Sequence, residues 1–189
     1  NAVYGHQPRI VNSENIEVLD PEISKAYYGK LNGEPHLYTI NAEEEFAIYL
    51  NVLIPGKEKT HTVSAELLKD NEVIYFLDGE NFQWEPWYEE FGKDWYMKGP
   101  EYGKDFKSTE NLPVGKYQIK VFNNENEGKY VLAVGDIESF PPSEIAKAVL
   151  NVPRLKVGFF GKYYLLGILS ILIILILYLS KILPKFIKK

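Results

Sequence analysis

The chain has 189 residues, a net charge of −5 and no cysteine, and 46% of its residues are hydrophobic. Residues 1–158 carry all 26 acidic and 16 of the 21 basic residues, a net charge of −10, whereas residues 159–189 carry only lysines among their charged residues. An acidic body excludes nucleic-acid binding through a basic surface, and the lack of cysteine excludes a disulfide framework.

Short apolar runs bounded by turn residues fill the chain from Arg9 to Val134, a spacing typical of an all-β sandwich. We therefore predict one exported β-sandwich domain over residues 1–141. Its alternating apolar residues place 45–54 centrally in a sheet, and Asn32-Gly33 predicts a hairpin turn because both residues tolerate positive φ. The predicted strands are 9–18, 24–31, 36–41, 45–54, 62–69, 72–77, 105–109, 116–122 and 129–134.

Residues 111–135 contain the segments PVGKYQIKVF and GKYVLAV, separated by a polar turn, which predicts a further hairpin. The pattern of Gly, Tyr and alternating apolar residues in both strands resembles the last hairpin of the bacterial pre-peptidase C-terminal domain, a small secreted β-sandwich. Residues 33–40 are a looser match to a Tyr- or Phe-bearing strand of that family. The resemblance implies a jelly-roll-like sandwich in an exported, non-catalytic module.

All three tryptophans lie within residues 82–96. Their helical spacing, opposite several glutamates, predicts a short amphipathic helix laid across the sandwich. Three roles remain open for it: a plug for the core, a docking surface for a protein partner, or a platform on which sugar rings stack. The candidate partner- or glycan-binding residues are Trp84, Trp87, Tyr88, Phe91, Trp95 and Tyr96.

Residues that could support catalysis or bind a metal ion are few. The chain lacks Gly-x-Ser-x-Gly and has no cysteine that could act as a nucleophile, so we expect no enzyme activity. The three histidines are widely separated, and we expect no metal site or cofactor; His6 is the best placed of them for a ligand role. The oxygen-rich turn at 123–127 lacks the distal glutamate of a calcium loop, which favours a solvated turn.

The composition changes after Gly135. Pro141 and Pro142 should end the domain, Ser143 can cap a short helix, and Pro153 should break that helix. Basic and aromatic residues then continue to residue 162. We predict that residues 142–162 form an amphipathic connector at a membrane interface.

The stretch YYLLGILSILIILILYLS, from Tyr163 to Ser180, contains no charged residue. Extended to residue 183 it would reach about 31 Å as a helix, about the thickness of a bilayer's hydrocarbon core. We predict one transmembrane helix over 163–183, followed by a basic cytoplasmic tail over 184–189. Small residues that could let a neighbouring membrane helix approach are Gly161, Gly167 and Ser170.

Four lysines near the C-terminus favour a cytoplasmic end, by the positive-inside tendency. The chain begins at Asn1 rather than Met, so we expect a cleaved signal peptide and a domain outside the cytoplasmic membrane, periplasmic or extracellular. The lack of an Asn-x-Ser/Thr acceptor favours a prokaryotic source.

These features together predict a single-pass, membrane-anchored accessory or interaction protein. Its expected partners are the lipid bilayer and other membrane protein subunits, with no nucleic acid. The alternative is a surface carbohydrate-binding module that uses residues 82–96, and metal binding or delivery is a third hypothesis.

Overall fold

The structure is a computed structural model that describes residues 5–90 and 92–187, with side chains described up to residue 177. The chain divides into two compact units, one ending at Asn151 and one beginning at Val152. The strands are β1 (Gln7–Ile10), β2 (Asn15–Glu17), β3 (Lys25–Asn32), β4 (His36–Ala42), β5 (Phe46–Ala47), β6 (Leu50–Pro55), β7 (Ser64–Lys69), β8 (Glu72–Leu77), β9 (Glu85–Glu89), β10 (Asp94–Tyr102), β11 (Asn111–Leu112), β12 (Gly115–Phe122) and β13 (Glu127–Val134).

The first unit is a β-sandwich, which confirms the predicted all-β class. One sheet has six strands in the order β1-β3-β13-β6-β10-β9, and the other has five in the order β2-β4-β12-β7-β8. The short strands β5 and β11 pair separately. As predicted for residues 45–54, β6 lies centrally in its sheet, between β13 and β10.

Alternating residues of both sheets form one core between them. At its centre the Tyr130 hydroxyl lies 2.6 Å from the Tyr38 hydroxyl and 2.6 Å from Nδ1 of His36. All three side chains are buried, so their polar atoms satisfy one another and neither hydroxyl is left unpaired in the apolar core. The largest fully buried side chains include Tyr38, Tyr49, Tyr117, Tyr130, Leu31, Ile40, Ile48, Leu50 and Ile54.

The two predicted hairpins are wrong, although their strands are present. β3 and β4 lie in different sheets, and so do β12 and β13. Each pair is therefore joined by a turn that crosses from one sheet to the other, and the two turns touch where the Gly33 amide donates to the Asn126 carbonyl at 2.8 Å. An alternating strand buries its apolar face in the core whether the next strand pairs beside it or faces it from the other sheet, so the pattern alone does not choose between the two arrangements.

Three other strand predictions need correction. Residues 9–18 contain two short strands rather than one, and residues 45–54 are divided between β5 and β6. Residues 105–109 form no strand; an isolated bridge between Lys104 and Lys107 closes a tight loop there. The nine-residue strand β10, which the sequence analysis did not predict, precedes that loop.

Helices follow the sandwich in sequence. α1 (Pro142–Arg154) is succeeded directly by a π-helical turn, Leu155–Phe159, and then by α2 (Tyr164–Ile187). The prediction that Pro153 breaks α1 is wrong, because the helix continues past it and changes to π-helical hydrogen bonding only from Leu155.

Residues 164–183 of the predicted segment are helical within α2, and Tyr163 lies in the turn before it. Among residues 5–90 and 92–177, whose side chains the structure describes, no helix is both long enough and apolar enough to cross a membrane. Residues 188 and 189 of the predicted basic tail lie outside the described residues.

Candidate binding surface

The tryptophan-rich segment forms a β-hairpin, so the predicted amphipathic helix over 84–91 is wrong. β9 and β10 pair antiparallel, with Tyr88 opposite Trp95 and Trp87 opposite Tyr96. Aromatic residues favour strands, and direct cross-strand pairing of rings stabilises a hairpin more than an isolated helix of this length would gain. Pro86 is tolerated because β9 is an edge strand.

Trp84 precedes the hairpin and fixes it to the sandwich. Its side chain is 8% exposed, and the indole Nε1 donates to the Gly79 carbonyl at 2.7 Å. A Cβ added at Gly99 would lie 2.5 Å from the Trp84 ring, so β10 approaches the ring closely only because residue 99 is glycine. Trp84 is therefore a core residue, as the plug hypothesis expects for it.

The other aromatic candidates differ in exposure. Tyr96 is buried and Trp87 is partly buried, with their ring centroids 6.0 Å apart. Tyr88 and Trp95 form an exposed pair at 5.1 Å, 40% and 37% exposed, and the Lys57 ammonium lies 4.7 Å from the Trp95 ring. Phe91 lies outside the described residues. Among the five candidates that the structure describes, the hairpin thus offers one exposed ring pair to a partner.

β8 adds a second exposed apolar surface, which the sequence analysis did not single out. Val73, Ile74, Tyr75 and Phe76 are consecutive and between 41% and 52% exposed. Successive strand residues point to opposite faces, so apolar side chains are exposed on both faces of this edge strand. The signal in the sequence was the uninterrupted run VIYFL, which lacks the polar alternation of a strand with one solvated face.

A cleft of about 500 Å³ lies beside β8 and the start of the hairpin. Tyr75 and Phe82 provide aromatic walls, and Asp78, Glu85 and Glu101 provide carboxylates. Among the described residues that line it, the one cation is Lys98, whose Nζ lies 3.3 Å from the Glu101 carboxylate. The cleft therefore combines aromatic and predominantly acidic groups.

The floor of the cleft is held by a buried amide. Asn51 on β6 donates from Nδ2 to the carbonyls of Gly99 and Pro100, both at 3.0 Å. These residues lie where the register of β10 shifts against β6. The side chain of Asn51 thus replaces the regular ladder hydrogen bonds that the irregularity removes and keeps β10 in place.

A second cavity, of about 650 Å³, lies at the opposite edge of the six-stranded sheet, near β1. The Lys25 ammonium is buried there and donates to the carbonyls of Leu19 at 2.8 Å, Asp20 at 2.7 Å and Ile23 at 3.3 Å. Burial lowers the pKa of Lys25 to about 8, despite the attraction of Asp20. All three N–H donors of the ammonium are used in these bonds, so Lys25 stabilises the loop that runs from Leu19 to Ile23.

His6 lies next to a serine that is far away in sequence, a contact that sequence reasoning missed. Nδ1 of His6 is 2.5 Å from the Ser24 hydroxyl, and burial lowers the pKa of His6 to about 4. Ser24 is only 3% exposed, so a substrate has no access to its hydroxyl in this conformation. The pair ties the start of the described chain to β3.

The structure groups no three potential metal-ligating side chains among residues 5–90 and 92–187. In the oxygen-rich turn, Asn123 donates to the carbonyls of Thr62 at 3.0 Å and Glu127 at 2.8 Å and accepts from the Glu127 amide at 3.1 Å. The side-chain amide of Asn123 thus stabilises the turn through hydrogen bonds to the protein backbone.

The candidate helix-packing residues lie in the second unit. Gly161 has φ +67° and redirects the chain just before α2, and a Cβ added at Gly167 would meet nothing within 4 Å. The Ser170 hydroxyl donates to the Leu166 carbonyl at 2.8 Å, within its own helix. Whether these residues pack against another membrane helix stays a prediction.

No family model and no curated protein matches this chain. Among solved structures, it resembles the pre-peptidase C-terminal domain of a collagenase from Bacillus anthracis, with 14% identity and a TM-score of 0.35 over 69% of this chain and 95% of that one. It also resembles the catalytic domain of a GH87 α-1,3-glucanase in complex with nigerose, with 9% identity and a TM-score of 0.28 over 60% of this chain and 22% of that one. The weak resemblance to a pre-peptidase C-terminal domain that the sequence indicated is thereby confirmed.

Proposed function

We propose that this chain is a single-pass, membrane-anchored interaction protein whose β-sandwich docks to other membrane protein subunits outside the cytoplasmic membrane. The observation that carries the docking role is the run of four exposed apolar residues on β8, close to the acidic cleft. Exposed apolar surface of this kind marks an interaction site when it is contiguous. No catalytic step forms part of the proposal.

Anchoring is supported by α2 and its sequence. Tyr163 to Ser180 contain no charge, and the large apolar side chains described from Leu166 to Leu177 are each about half exposed or more. A helix that is apolar on all sides needs an apolar environment, which a protein core or a bilayer provides. We therefore assign residues 163–183 to the bilayer, with the lysines beyond them on the cytoplasmic side.

α1 supports a membrane-proximal connector over residues 142–162. Its Glu144 is turned inward, where it pairs with Arg9 at 2.8 Å and Lys147 at 2.7 Å. Its large apolar residues, including Ile145 and Val149, are exposed instead. A helix that buries a charged residue and exposes its apolar residues can lie at a lipid interface, where its apolar face is covered.

The anchor is tested by fractionating cells that express the full chain. Leu172→Lys places a charge in the middle of the proposed span, at a cost of about 3 kcal/mol for insertion, whereas Leu172→Ala keeps the span apolar. We expect carbonate-washed membranes to retain the wild-type and Ala chains and to lose much of the Lys chain. Equal soluble fractions for all three chains would refute the anchor.

Docking to other subunits is tested by crosslinking in native membranes. Photocrosslinkers at Gly167 or Ser170 probe the helix, and one at Phe76 probes the sandwich. We expect each to capture a second, different protein. Capture of lipid only by the helix probes, and of nothing by the Phe76 probe, would leave a simple tether and refute docking.

Carbohydrate binding through the hairpin is the second candidate. The observation that favours it is the exposed pair Tyr88 and Trp95, whose rings could stack on sugar faces. A glycan array read with the wild type and with Trp95→Ala tests it: a sugar signal that disappears in the variant supports this function. A blank array supports the protein-docking function instead.

A further inference from the structure

Among the described residues the six- and five-stranded sheets have four edge strands between them, and three of these carry features that prevent pairing with another strand. β2 has only three residues. β1 has four residues, one of which is Pro8. β9 contains Pro86 together with Glu85, which is exposed, and Glu89, which is partly exposed. Short length, proline and charge are the usual devices that protect an edge, so these three edges are protected.

β8 has none of these devices along most of its length. It has six residues, no proline and no lysine, and its one charged residue, Glu72, lies at its start. Its one other protective feature is a β-bulge, which leaves Ile74 between the pairs Leu67–Tyr75 and Leu68–Val73 but leaves Tyr75, Phe76 and Leu77 in regular pairing with β7. Within the described chain no strand pairs with its outer edge, because β8 ends the order of its sheet.

We propose that the outer edge of β8 receives an extended segment of another protein, which adds as a sixth strand to this sheet. The added strand rests on the proposed docking function and specifies the chemistry of the partner segment. Val73 and Phe76 are about half exposed and offer apolar contacts to alternate side chains of an added strand. The segment is therefore apolar in its middle.

Charged residues at the end of β8 determine the charge of the remainder of the bound segment. Asp78 follows β8 directly, and Glu85 and Glu101 line the adjoining cleft, where Lys98 pairs with Glu101. The cleft lies at this end, and its aromatic walls fit the aliphatic stem of a lysine or arginine while its carboxylates meet the cation. The segment thus carries basic residues where it reaches the cleft.

The same charges disfavour a second copy of this chain as the occupant. If two β8 strands paired antiparallel about their midpoints, Glu72 of each copy would lie beside Leu77 and close to Asp78 of the other. Like charges placed opposite each other across a strand pair are destabilising. The net charge of −10 on residues 1–158 opposes self-association as well.

The test uses the full chain in nanodiscs and a short synthetic peptide that alternates valine and threonine and carries lysines at both ends. We expect binding by fluorescence anisotropy, and roughly tenfold weaker binding when glutamates replace the lysines. Methylating the peptide's backbone nitrogens along the edge that faces β8 should weaken binding by roughly tenfold, whereas methylating the other edge should not. No binding at about 1 mM, or equal binding of both methylated series, would overturn the proposal.

A matched pair of variants places the binding on β8. Val73→Lys introduces a charge on the edge strand, and Val114→Lys makes the same change at a residue of similar exposure, 57% against 52%, outside β8. We expect only Val73→Lys to abolish peptide binding, with both variants keeping the wild-type far-UV circular dichroism. Self-association of the wild type that Val73→Lys removes would identify a second copy as the occupant and overturn the proposal.

The two proposals fail in different ways. If partner capture by the crosslinker at Gly167 persists in Val73→Lys but the peptide never binds, the docking function stands and the added strand is refuted. If neither helix nor sandwich captures a protein, the docking function itself is refuted.

Discussion

Trp84 and Trp95 should respond very differently to the same substitution. Trp84→Phe removes the indole donor and leaves the buried Gly79 carbonyl without its 2.7 Å hydrogen bond, at a cost of about 1–3 kcal/mol. The smaller ring also leaves unfilled space in the core, which adds about 1 kcal/mol. We therefore expect Trp84→Phe to lower the free energy of unfolding by about 2–4 kcal/mol.

Trp95→Phe is the control, because Trp95 is 37% exposed and its described ring contacts are Tyr88 and Lys57. It should cost less than about 1 kcal/mol. Urea unfolding monitored by far-UV circular dichroism gives both losses in the free energy of unfolding, provided that this free energy depends on urea concentration with the same slope in all chains. Equal losses, or a larger loss for Trp95→Phe, would refute the assignment of Trp84 to the core.

Three further predictions concern the same sandwich. Burial lowers the pKa of His6 to about 4 from its ordinary 6.5, so as the pH falls the unfolded chain binds a proton at this residue before the folded chain does. The free energy of unfolding should therefore fall by about 2 kcal/mol between pH 7 and 5. His6→Gln should remove that part of the pH dependence in thermal melts. Tyr130→Phe should cost about 2–4 kcal/mol in urea unfolding, because it leaves the buried His36 and Tyr38 groups without their 2.6 Å partner; a loss under about 1 kcal/mol would contradict this. A chain ending at residue 141 should fold with a cooperative melt, since the core lies before α1, and aggregation of that chain would contradict it.

Local pattern predicted the strands better than it predicted their partners. β8 was expected at 72–77 and has those bounds, and the alternation in 116–122 and 129–134 correctly placed β12 and β13. One partner of β12 is β4, far earlier in the chain, with Lys120 opposite Leu37. Such a pairing depends on which faces of all the strands are buried together, and a single strand carries no signal for it.

The candidate binding surface was predicted only in part, again because local pattern does not show how strands pair. Spacing identified the aromatic segment, but it could not separate a helix from a hairpin. The aromatic residues fit one face of a short helix, and aromatic residues are also favoured in strands. Cross-strand pairing then divided the candidates into the buried Tyr96 and the exposed Trp95, neighbours in sequence on opposite faces of β10. Exposure of a strand residue is set by what covers its face.

The protection of sheet edges gives a physical link between the fold and its proposed role. A proline or a charged residue on an edge strand costs little where the strand is exposed, and it prevents unwanted pairing. β9 carries Pro86, whereas β8 keeps the run VIYF exposed beside an acidic cleft. A single substitution such as Val73→Lys would protect β8 in the same way. The lack of such a residue in the run VIYF is therefore most simply explained if β8 pairs with a strand from another protein, which covers the apolar side chains in the assembled state.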